Sequence, residues 1–126
     1  MNNVGFIHII FLFVGVRLLS NVNRKERRVS DGRVEVYKCG IWNKICDRNW
    51  TKAHADVACR DLGFSEAIRN LSFPSDSNKN GNMSNLYYIS CEGTEEYLLK
   101  CRSHQELGNS SCPKVAGVVC KDEGNY

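Results

Sequence analysis

Seven cysteines in 126 residues, at positions 39, 46, 59, 91, 101, 112 and 120, limit what this chain can fold into more than any other feature. A single domain of this size has a modest hydrophobic core, and small secreted domains commonly offset that with disulfides. Seven cysteines cannot all pair within one chain. With one set aside, the other six still allow 15 pairings, so spacing alone leaves the connectivity open. Structural zinc is the competing use, but the chain has no Cys-x-x-Cys pair and no closely spaced histidine pair; beyond His8 it offers only His54 and His104. A catalytic Cys–His pair would need a thiol in a polar, activated setting, whereas most of these cysteines fall on apolar faces. The apolar content of 42% argues against wholesale disorder. A net charge of +3 is too mild to argue for nucleic acid.

The N-terminus has its own character. Val4 to Val16 carries no charge and a single polar side chain, His8. An apolar core of this length suits a secretory leader better than a membrane-spanning helix, so residues 1–20 read as a signal peptide. Its flanks are weak: the n-region has only the α-amino charge, and bulky Leu18 precedes Ser20. A buried N-terminal strand is the competing reading. Four Asn-x-Ser/Thr sequons, at Asn49, Asn70, Asn82 and Asn109, independently favour passage through the secretory pathway. The context is thus secreted or on the extracellular face of the plasma membrane.

Alternation over Arg33–Lys38, with Val34 and Val36 on one face, predicts a half-buried strand. Cys39-Gly40 turns the chain, and Ile41 to Cys46 returns to close a hairpin. Thr51 as N-cap and Gly63 just past the C-terminus bracket one helix. Its core stripe is Ala55, Cys59 and Leu62. Asn70 to Asn85, rich in Ser, Asn and Asp, reads as a long loop. Leu86 to Cys91 is a third strand, Glu95 to Lys100 a short helical turn, and Val115 to Cys120 a last strand.

Several motifs together resemble one family. Gly32-Arg-Val-Glu-Val36, Trp42-x-x-x-Cys46-Asp47, Ala55-x-Val57-x-Cys59-Arg60-x-Leu62-Gly63, Cys91-x-Gly93-x-Glu95-x-x-Leu98-x-x-Cys101 and Ala116-Gly-Val-x-Cys120 are similar to a scavenger receptor cysteine-rich (SRCR) domain of the six-cysteine, group A type. The resemblance spans residues 16–120 and leaves 121–126 as a tail. Val16-Arg-Leu18 resembles the family's first strand, which overlaps the leader read over 1–20. It implies an α+β, disulfide-stapled fold in which a curved antiparallel sheet cradles one main helix. It also implies the bridges Cys46–Cys112, Cys59–Cys120 and Cys91–Cys101, with Cys39 unpaired. The two further cysteines of group B would fall near Ser30 and at Phe64, and both are absent.

The resemblance further implies a non-enzymatic, extracellular module whose ligands are proteins or polyanionic microbial surfaces. The alternative is an accessory domain of a larger secreted or membrane enzyme, such as a protease or an amine oxidase. In relatives with a cation site, acidic residues after the hairpin cysteine and a Glu after the third-strand cysteine supply oxygens. Asp47 and Glu95 match two of these positions and Arg48 replaces an acid at the third, so calcium binding is expected to be vestigial and no cofactor is expected. Arg48 is expected to pair with Asp47 or Glu95. A basic set, Arg24, Lys25, Arg27 and Arg28 with Lys44 and Arg48, is a candidate anion-binding surface; a solvated loop is the plainer reading of its first four members. Cys39, at a turn tip, is a candidate for a covalent homodimer.

Overall fold

A computed structural model describes residues 15–20, 30–75, 86–106 and 112–122. The architecture is organised around β2 (Asp31–Lys38), which turns at Cys39-Gly40 into β3 (Ile41–Ile45). Both turn residues have positive φ, 58° and 84°. Val34 and Val36 are fully buried, as the alternation predicts. The opposite face of β2 is not left to water, because Glu35 is only 4% exposed. Its carboxylate accepts forked pairs of hydrogen bonds from Arg33 and from Arg17 of β1 (Gly15–Leu19), each 2.7–3.0 Å. Burying a carboxylate is costly unless it is paired and hydrogen-bonded. Here two guanidiniums do both, and Arg17 also lies 4.1 Å from the centre of the Trp42 ring.

The helix α1 (Lys52–Asp61) follows Thr51. Its buried side is broader than the expected stripe: His54, Ala55, Val57, Ala58 and Cys59 are all enclosed. It packs on β4 (Ala67–Pro74) and β7 (Lys114–Cys120). Asp56 accepts the backbone N–H of Ala67, and Asp61 accepts that of Leu98 at the start of a 3-10 turn over Leu98–Lys100. Ahead of the helix, the buried Trp50 donates its indole N–H to the carbonyl of Gly117, 3.0 Å away. Strands β5 (Leu86–Ser90) and β6 (Arg102–Glu106) complete the set.

The strands run in the order β4-β7-β2-β3-β5-β6, with β1 also paired to β2. Arg33 pairs with both Leu19 and Gly117, so β1 and β7 lie on opposite edges of β2. Glu35 and Tyr37 pair with both β1 and β3, which puts β3 on the same edge as β7. Two strands sharing one edge force the sheet to curl, and Cys46 bridges to Val115 at the seam. Among the described residues the fold is the expected curved, antiparallel-rich sheet around one α-helix, with a single parallel pairing, β3 to β5.

Two segments differ from the sequence reading. Residues 70–74, assigned to a long loop, form most of β4, paired with β7 as far as Pro74–Lys114. Leu71 and Phe73 point inward between exposed Asn70, Ser72 and Pro74. The alternation is there, but Asn, Ser and Pro mask it. Pro74 is tolerated because it ends an edge strand. β6 was not anticipated at all, because Arg-Ser-His-Gln-Glu has no apolar period and exists as a strand only through pairing with β5.

The leader assigned to 1–20 lies outside the described residues up to position 14. Its last part is β1. Gly32, at φ 146°, packs against that strand so closely that a Cβ would stand 2.4 Å from the Leu19 carbonyl oxygen. A leader ending at Ser20 would therefore take with it a strand the fold uses. No helix among the described residues is long and apolar enough to cross a membrane.

Candidate functional site

Three cystines hold the framework together: Cys46–Cys112, Cys59–Cys120 and Cys91–Cys101. Cys39 is free and exposed at the β2–β3 turn. Burial, with smaller contributions from this thiol, pushes the Tyr87 phenol beside it above its ordinary pKa.

Cys46 closes β3, and the chain then turns through Asp47, Arg48 and Asn49, where Asn49 adopts φ 65°. This turn faces the β5–β6 ladder. Between them lies a cleft of about 630 Å³, lined by Arg48, Asn49, His54, Tyr88, Arg102 and His104 among others. Tyr88 and His104 are direct partners across the ladder. Their rings are 5.1 Å apart and inclined by 7°. The Arg48 guanidinium lies 5.1 Å from the centre of Tyr88.

The two acids matched to the cation positions are engaged elsewhere. Asp47 accepts a hydrogen bond from the Ser72 hydroxyl at 2.7 Å. The carboxylate of Glu95 accepts the backbone N–H groups of Glu92 and Gly93, 2.9 and 3.0 Å away. Those backbone bonds hold its pKa below the usual carboxylate range, with a smaller contribution from His54. Arg60 fixes the same loop by donating to the carbonyls of Gly93 and Glu95. Among the described residues, no cluster of three candidate metal ligands contains both acids; each is grouped only with cysteines that are already in disulfides. Calcium takes six to eight oxygens, and this donor set does not fit it.

The remaining candidates divide. Arg24, Lys25, Arg27 and Arg28, with Asn82 and Asn109, lie outside the described residues. Lys44 is half-buried on β3 and does not line the cleft, while Arg48 is exposed and does. Of the sequons, Asn49 and Asn70 are exposed. The amide of Asn70 donates to the carbonyl of Trp50. Sequence reasoning missed Arg102 and His104, weighing His104 only as a zinc ligand. No local pattern along the chain signals either residue.

His54 forms the inner wall of the cleft and ties the helix to the third cystine. Its Nε2 accepts the Cys91 N–H at 3.0 Å, and its Nδ1 faces the Thr51 backbone N–H at 3.3 Å and the Thr51 hydroxyl at 2.9 Å. Burial pushes its pKa below the ordinary imidazole value, against weaker upward pulls from Glu95 and the Ile89 backbone. The native state therefore binds this proton less readily than the unfolded chain. The stabilisation is complete above an unfolded pKa of about 6.5 and is lost as pH falls below it toward the lowered native value. The thermal midpoint of the wild type should drop between pH 7.5 and 5.5 more than that of His54→Gln. Parallel profiles would show that His54 is not the titrating group.

The scavenger receptor cysteine-rich domain family matches residues 24–121, and the chain belongs to that family. Modules of this family are non-enzymatic and extracellular. Among solved structures, the third SRCR domain of murine neurotrypsin is 32% identical, covering 85% of this chain and 95% of that one, with a TM-score of 0.62. The dimeric form of the SRCR domain of mouse MARCO is 33% identical, covering 79% and 94%, with a TM-score of 0.55. Among curated proteins, lysyl oxidase homolog 3 of Homo sapiens is 38% identical over 99 residues, and lysyl oxidase homolog 3A of Danio rerio 43% over 102. The matches span 77% of this chain but only 13% of each of those proteins.

Proposed function

We propose that this domain is a recognition module for extracellular polyanions. The observation that carries this reading is the cleft beside the Cys46 turn, which Arg48 and Arg102 line and which has no carboxylate among its described lining residues. Binding of this kind weakens with salt, because exposed charges are screened over about 8 Å at physiological ionic strength. The domain should be retained on heparin at low salt and released by about 1 M salt. Equal retention at both would contradict the reading.

The likeness to lysyl oxidase homologs, of which this chain spans about an eighth, supports a second reading: an accessory binding domain within a longer amine oxidase. A full-length transcript encoding a catalytic domain would favour it.

Cys39 supports a covalent homodimer. It is exposed at a turn tip, and a related domain has a dimeric form. Under non-reducing conditions a band at twice the monomer mass should appear and vanish in Cys39→Ser. A pattern unchanged by the substitution would rule the dimer out.

A further inference from the structure

We propose that the cleft between the Cys46 turn and the β5–β6 ladder is a subsite for an acidic sugar, a sulfated or uronate residue of an extracellular polysaccharide. This rests on the polyanion reading and names the unit the site would hold. At about 630 Å³ the cleft falls within the range of roughly 300–1,000 Å³ common for small-ligand sites. Among the described residues, its lining contains two arginines and no carboxylate.

The parts are held in place. Pairing across β5 and β6 stacks the Tyr88 ring on that of His104. Arg102 stands two residues before His104 on the same strand, and strand alternation puts both on one face. Arg48 is positioned over Tyr88 by the turn that ends in Asn49. A guanidinium offers a planar fork that matches sulfate or carboxylate. Flat rings suit the C–H face of a pyranose, and Asn49 and Ser90 supply the polar tips that sugar hydroxyls need. A bare phosphate would use the cations and leave the rings idle. A lipid would need a neighbouring apolar surface, yet among the described residues the large exposed apolar side chains, Leu19, Ile41, Ile68 and Tyr97, all lie off the cleft.

Asn49 is both a lining residue and a sequon acceptor, so a glycan there would stand at the mouth. The test therefore uses the full chain carrying Asn49→Gly, which removes the acceptor and tolerates the positive φ. Calorimetry with a heparin-derived tetrasaccharide should show binding that is independent of calcium. Arg48→Ala and Arg102→Ala should each weaken it about tenfold or more, the scale of a lost hydrogen bond to a charged group. Tyr88→Leu should weaken it without moving the thermal midpoint. Arg69→Ala and Lys121→Ala, exposed cations away from the cleft, should change it less than about twofold. Equal losses in all four cation variants would overturn the subsite in favour of diffuse charge. Retention on polymeric heparin without tetrasaccharide binding would overturn it and leave the polyanion reading standing; failure to bind either would overturn both. Tighter binding of inositol hexakisphosphate than of the tetrasaccharide would overturn the sugar assignment. A requirement for calcium would restore a cation site and overturn the proposal.

Discussion

Removing the Cys59–Cys120 bridge, as the Cys59→Ala, Cys120→Ala double variant, is expected to cost about 4 kcal/mol by loop-closure entropy. The bridge spans 61 residues of sequence and ties α1 to β7. Both cysteines are at most 1% exposed, so lost packing adds in the same direction. The Cys91–Cys101 bridge spans 10 residues, and by the same argument contributes about 3 kcal/mol. A domain with about 5–15 kcal/mol in total has little to spare after the first loss. Urea unfolding of the two double variants is the measurement. A loss at the long bridge no larger than that at the short one would show that chain entropy does not set the order here.

Gly117→Val is expected to cost about 3 kcal/mol, at the upper end of overpacking effects. Gly117 lies on β7 where three things converge. A Cβ there would come within 2.3 Å of the Phe73 ring and 2.6 Å of the Gly32 carbonyl oxygen. The Gly117 carbonyl also accepts the Trp50 indole hydrogen bond. The ring can move, but the Gly32 oxygen belongs to a paired strand and cannot move alone. Phe73→Leu should therefore rescue only part of the loss. A near-neutral Gly117→Val, or full rescue by Phe73→Leu, would mean that β2, β4 and β7 are not packed as described.

Much of the fold is legible along the chain. Val34 and Val36 alternate with polar residues, Cys39-Gly40 makes the turn, and Thr51 and Gly63 bracket the helix within a residue or two. These features depend on neighbours in sequence, so local chemistry carries them. The motif resemblance supplied the cystine pairs and, with them, the long-range frame.

What sequence order hid depends on contacts between distant segments. β6 has no apolar period of its own and becomes a strand because β5 offers it a ladder. The inner face of β4 is masked by Asn, Ser and Pro until β7 pairs with it. Glu35 read as the solvent face of a strand, yet Arg17 and Arg33 enclose it. The cleft draws on residues near 48, 88 and 102, and no local pattern links them. The hairpin and the helix follow from residues close together along the chain, because turn geometry, capping and apolar period act within a few residues. Which charges meet depends on the packing of distant segments. Register across the β5–β6 ladder and the Cys46 turn brought Arg48, Tyr88 and His104 together, while Asp47 and Glu95 accept hydrogen bonds from Ser72 and the 92–93 backbone.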